Sequence, residues 1–90
     1  MGEMQAIRVR YWAAARSAAG VAEENVATTG SITLLALREE VVRRHDARLA
    51  DVLAVCSVLV GDQPVASSDP GAVAVPPGAT VEFLPPFAGG

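Results

Sequence analysis

Few side chains in this sequence could do chemistry, and their spacing does not assemble a catalytic site. His45 is the only imidazole and Cys56 the only thiol, so there is no His and Cys set for a metal and no nucleophile with a plausible base. No Gly-rich phosphate loop occurs. Carboxylates come as adjacent pairs, Glu23/Glu24 and Glu39/Glu40, but neighbours in sequence point to different sides of a strand or helix and read as solvated surface. Cys56 shares strand parity with Val58 and Val60 and reads as a buried, inert small hydrophobe. His45 follows Arg43 and Arg44 at the end of a helical pattern, where the helix dipole favours cations. It reads as a cap or surface residue, not a ligand. No metal site and no bound cofactor is expected.

The last residues, LPPFAGG, are of a different kind. Pro85 and Pro86 restrict φ and favour an extended exit of about 3.1 Å per residue. Ala88, Gly89 and Gly90 then reduce the chain to nearly bare backbone, able to thread a channel in which a larger side chain would clash. Such a tail presents the main-chain carboxylate of Gly90 to another protein's active site. A bare Gly-Gly would read as a frayed end. Here a stiff proline pair, the aromatic Phe87 and two glycines follow directly on a core strand, which favours a functional tail. The expected division is a body over 1–84 and a flexible tail over 85–90.

The elements that must position this tail follow from periodicity. AIRVRYW, from Ala6 to Trp12, alternates as a half-buried strand with Ile7, Val9 and Tyr11 on one face. AAARSAAG predicts a short helix or turn closing on Gly20, and AEENVATT a second strand pairing with the first. Ser31 is the expected N-cap of the main helix, ITLLALREEVVRRH, with Leu34, Leu37 and Val41 at helical spacing. A helical turn around ARLADVLA precedes a strand in VCSVLV, a turn at Gly61 and Asp62, and a short strand from Pro64 to Ala66. Pro76, Pro77 and Gly78 turn the chain into a last strand, Thr80 to Leu84, with Val81 and Phe83 inward and Glu82 and Leu84 outward. One helix long enough to cover a sheet implies an α+β two-layer domain, a mixed sheet packed on one face. If the first and last strands are central neighbours, Arg8 or Arg10 meets Glu82 outside.

Composition bounds the rest. With 51% apolar and 19% charged residues the chain is globular, and ninety residues support one core. All seven basic residues are Arg, scattered along the chain, and the net charge is -3, which disfavours nucleic acid. There is no Lys, so apart from the N-terminus no amine is offered for isopeptide attachment. A lone Cys makes no internal disulfide, no signal-peptide pattern opens the chain and no apolar stretch spans a bilayer. A cytoplasmic location without membrane association is expected.

The order of elements resembles the ubiquitin-like β-grasp sulfur carriers, the MoaD/ThiS family, and most of all the MoaD-type small subunit of molybdopterin synthase. IRVRYWAAARSAAG resembles that family's first strand, aromatic pair and helix ending in Gly; GATVEFLPPFAGG resembles its last strand and Pro-Pro-x-x-Gly-Gly tail. The resemblance implies that an E1-like, MoeB-type adenylyltransferase uses ATP to join AMP to Gly90. A persulfide donor then converts that end to a thiocarboxylate. Docked in a MoaE-like large subunit, the terminal sulfur would build the dithiolene of molybdopterin, with ATP and pterin bound by the partners and no catalytic site in this chain itself. Gly90 and Gly89 are the expected reacting end. Trp12, Pro64 and Leu84, with Pro85, Pro86, Phe87 and Ala88, are the expected partner-binding residues, since outward apolar clusters often mark interfaces. Carriers for thiamine or cysteine biosynthesis share fold and tail, and a ubiquitin-like interaction module whose tail is never activated is the alternative outside this chemistry.

Overall fold

The computed structural model describes residues 4–66 and 69–86. Alternation makes the first strand, β1 (Gln5–Tyr11), which buries Ile7, Val9 and Tyr11 and turns Arg8 and Arg10 to the other face. After Trp12 comes α1 (Ala13–Ala19), ended by Gly20 at φ 79°, whose N–H donates to the Arg16 carbonyl. Glycine adopts this left-handed conformation without steric cost. β2 (Glu23–Thr28) returns antiparallel to β1, pairing Ile7 with Val26 and Val9 with Glu24.

The main helix starts later than expected. Ile32 and Thr33 form a two-residue strand, β3 (Ile32–Thr33), so the backbone stays extended through Thr33. The cap is therefore Thr33, whose hydroxyl accepts from the Ala36 N–H, and not Ser31. α2 (Leu34–Arg44) buries Leu34, Leu37 and Val41, one stripe at helical spacing. α3 (Ala47–Leu53) follows, with the Asp46 side chain accepting from the N–H groups of Arg48 and Leu49, a fuller helix than the single turn expected.

β4 (Ser57–Val60) leaves out Val55 and Cys56 of the strand expected in VCSVLV, and β5 (Gln63–Pro64) starts one residue before the strand expected from Pro64 to Ala66 and ends at Pro64. Proline is tolerated there because β5 is the sheet edge. A 3-10 turn at Pro70–Ala72 leads to β6 (Ala74–Val75), which pairs with β3 as a second small ladder, and then to β7 (Thr80–Leu84). The main sheet runs β2-β1-β7-β4-β5, with β1 and β7 parallel at its middle and the other pairs antiparallel. This is the mixed α+β architecture expected.

One core joins the layers. Ile7, Val9, Leu37, Leu49, Leu53, Val81 and Phe83 are each at most 1% exposed, and full burial of such side chains contributes roughly 1.5–3 kcal/mol each. No helix among the described residues is long and apolar enough to cross a membrane.

Candidate functional site: the outer sheet face and the end of the last strand

The outward residues of four strands form cross-strand rows. Arg10 pairs with Glu82, Glu82 with Leu59, and Leu59 with Pro64. One step further along, the Trp12 N–H donates to the Phe83 carbonyl at 3.2 Å, which brings Trp12 alongside Leu84, and Leu84 pairs with Ser57. Two expected partner-binding residues, Trp12 and Leu84, thus lie side by side. Trp12 is 42% exposed, Leu84 and Pro85 are half-buried, and Pro86 is exposed.

Pro64 is exposed but lies on the far edge, and Leu59 stands between it and the centre. Leu59 was missed, although its parity with Ser57 was a readable signal. Phe87, Ala88, Gly89 and Gly90, the expected reacting end and its approach, lie outside the described residues.

Trp12 is held by charge as well as by its backbone. Its indole N–H donates to Glu82 Oε1 at 3.1 Å, and the Arg10 guanidinium lies 4.9 Å from the ring centroid. Arg10 also approaches Glu82 Oε1 at 3.6 Å, the outer-face pairing expected for Arg8 or Arg10. Arg8 instead pairs with Glu23 at 3.2 Å.

On the inner face at the opposite edge, Glu24 corrects the expectation of a solvated carboxylate. It accepts the Tyr11 hydroxyl at 2.6 Å, lies 2.7 Å from His45 Nε2 and 3.2 Å from Arg44. Arg44 also donates to the Asn25 carbonyl and to Glu40, which Arg43 pairs as well. Burial pushes the Glu24 carboxyl up, but the hydrogen bonds from Tyr11, His45 and Arg44 outweigh it and hold the carboxyl below its ordinary range. Burial, then the bond to Glu24, raises Tyr11 well above its ordinary value, so the phenol stays protonated. His45 caps α2 through its backbone N–H, and its imidazole serves this cluster. The carboxylate is engaged on several sides, an arrangement of structure rather than catalysis.

Cys56 is half-buried rather than fully in the core, and its Sγ contacts the Val52 carbonyl at 3.3 Å. Burial pushes the thiol up to about 11, so little thiolate exists near neutrality. Among the described residues no three His, Cys, Asp or Glu side chains gather in a group able to hold a metal.

Solved structures share this architecture. The Haloferax volcanii HVO 2177 protein superposes with a TM-score of 0.75 at 22% identity, covering 97% of this chain and 88% of its own. A Pyrococcus furiosus protein assigned as a molybdopterin converting factor, subunit 1, gives 0.73 at 22% identity, over 91% and 98%. The small archaeal modifier protein 1 of Methanosarcina acetivorans gives 0.75 at 16%, over 99% and 100%. These likenesses establish the ubiquitin-like β-grasp fold. No curated protein matches the sequence. The family model, however, follows the chain from within β1, across the outer rows and past the proline pair, matching residues 9–90: the chain belongs to the ThiS family.

Proposed function

We propose that this chain is a sulfur carrier whose Gly90 carboxylate is adenylated, converted to a thiocarboxylate and used as the sulfur donor for the dithiolene of molybdopterin. The observation that carries the proposal is the family match itself, which continues through the Pro-Pro-x-x-Gly-Gly segment to residue 90. A carboxylate is a poor electrophile. Attack on ATP releases pyrophosphate and leaves an acyl adenylate; a persulfide sulfur displaces AMP, and a thiol cleaves the resulting acyl disulfide to leave the thiocarboxylate. ATP and the persulfide belong to a MoeB-type adenylyltransferase and its sulfur donor, and the pterin to a MoaE-like large subunit, all in the cytoplasm.

This chain supplies the rigid body and the exit. β7 lies at the middle of the sheet and delivers Leu84, Pro85 and Pro86 from its end. Trp12 and Leu84 supply an apolar patch beside that exit. The proline pair and the likeness to the Pyrococcus furiosus protein favour the molybdopterin branch over thiamine or cysteine biosynthesis. The likeness to a small archaeal modifier protein favours a second reading, in which an amine of a target protein attacks the same acyl adenylate and forms an amide.

The test is intact mass spectrometry. The chain, incubated with ATP and candidate adenylating enzymes, should gain AMP; with the sulfur donor it should show the oxygen-to-sulfur mass increase, and deletion of Gly90 should abolish both. Covalent conjugates to other proteins without thiocarboxylate would establish the second reading. Chain from its native host carrying only a carboxylate, with no adduct from any adenylating enzyme, would refute both.

A further inference from the structure

The geometry points to Arg10 and Glu82 as positioning residues that hold the Trp12 indole as a preformed anchor for the protein that takes up the chain's end. This rests on the carrier reading and adds two residues to it. An exposed tryptophan on a sheet would ordinarily sample several rotamers, and a partner would have to immobilise it. Here three constraints act before any partner arrives. The backbone of Trp12 is fixed from both sides: its N–H donates to Phe83, and its carbonyl accepts from Ala15 at 3.0 Å. Its indole N–H is held by Glu82 Oε1 at 3.1 Å. Arg10, 3.6 Å from that same oxygen, lies over the ring at 4.9 Å, a separation suited to cation–π attraction.

The next residue, Ala13, takes φ 49°, the only positive φ among the described non-glycine residues. Left-handed alanine is unfavourable, and such outliers persist where the surroundings over-determine them. The backbone outlier thus directly follows the residue whose side chain the charged pair holds. Trp12 remains 42% exposed, and its backbone is bonded to the carbonyl of the residue before Leu84, next to the proline pair. Tryptophan in a pre-ordered position is the residue type that most often dominates an interface, and ordering it in advance removes an entropic cost of docking.

Trp12 is the only tryptophan, so its fluorescence reports the clamp directly. In the full chain, time-resolved anisotropy of the wild type should follow the tumbling of the whole domain. Glu82→Ala and Arg10→Ala should add a fast local component and increase acrylamide quenching, while circular dichroism stays unchanged. Glu82→Gln, which keeps an acceptor for the indole N–H, should retain most of the order. Titrated calorimetrically into the host's MoaE-type large subunit, the two alanine variants should bind roughly 2- to 12-fold more weakly, with Glu82→Gln largely restored. An indole equally ordered in Glu82→Ala, or one loosened with unchanged affinity, would overturn the inference. A wild type with an ordered indole that does not bind the subunit would remove the anchor role together with the molybdopterin branch of the carrier reading, which intact mass tests separately; a wild type that binds while the variants bind equally would remove the anchor role alone.

Discussion

The Tyr11 hydroxyl and Glu24 Oε2 lie 2.6 Å apart, linking the inner faces of β1 and β2 at the point where α2 ends. His45 and Arg44 reach the same carboxylate from the helix, and the Tyr11 ring stacks on Phe83 at 6.2 Å. One carboxylate therefore joins the outermost strand, its neighbour and the main helix, and the hydrogen bonds it receives are strengthened by partial burial.

Glu24→Ala should destabilise the fold by about 1–3 kcal/mol in chemical denaturation, because it leaves the half-buried Tyr11 hydroxyl without its acceptor and takes one of the acceptors of Arg44, which keeps the Asn25 carbonyl and Glu40. The pH dependence has a definite sign. The folded carboxyl titrates below its ordinary range, so the unfolded chain binds the proton more readily. The contribution is fully present above the ordinary glutamate pKa of about 4.3 and is lost as pH falls through the lower folded value. The stability gap between wild type and Glu24→Gln should be wide at about pH 7 and narrow at about pH 3. An equal gap at both would show that the ionised group contributes nothing.

Tyr11 predicts the alkaline limb. Its folded pKa is raised, by burial first and by Glu24 second, so its contribution is intact below the ordinary phenol value of about 10 and fades as pH rises above it. Tyr11 is the only tyrosine, which lets absorbance titration follow it alone. Tyrosinate absorbance should rise only together with loss of helical circular dichroism. A phenol that titrates freely in folded protein would contradict the buried hydrogen bond.

Cys56→Ala should cost about 1 kcal/mol and leave thiocarboxylate formation intact. The thiol packs beside the core and titrates at about 11, so it should also alkylate slowly near neutrality. Loss of sulfur transfer in a well-folded Cys56→Ala variant, measured by intact mass, would assign the thiol a chemical role.

Much of this arrangement was legible because it obeys a period. The alternation of β1 and β7 announced which of their residues face inward, and the Arg10–Glu82 pairing followed once those strands were neighbours. Glu24 was opaque for a physical reason. Its inward direction depends on the antiparallel register that sets it opposite Val9, and its partners come from a helix end about twenty residues on. The β3–β6 ladder was equally hidden, since two residues have no period. That ladder displaced the helix cap from Ser31 to Thr33, because pairing Ile32 with Val75 keeps the chain extended for two more residues.

Leu84→Arg should weaken docking to the large subunit by roughly 10-fold or more, with little change in circular dichroism or Tm. Leu84 faces away from the core, beside Trp12 and opposite Ser57, so a charge there meets the partner and not the interior. Affinity unchanged by calorimetry would remove Leu84 from the interface and leave Trp12 to stand alone.

Ala13→Gly tests whether the turn after Trp12 is under strain. At φ 49° the alanine Cβ crowds the carbonyl that follows, at about 1–2 kcal/mol. Glycine removes that crowding but loosens the unfolded chain by about 0.4–1 kcal/mol. The two terms oppose, so the net result should lie between about neutral and about 1.6 kcal/mol of added stability, where glycine in an unstrained helix would cost about 1 kcal/mol. Ala13→Val should move the other way, because a β-branched side chain is still less tolerant of positive φ. A glycine variant clearly less stable than wild type by denaturant titration would show that the backbone at Ala13 is relaxed. The outlier beside Trp12 would then lose its meaning as a sign of constraint.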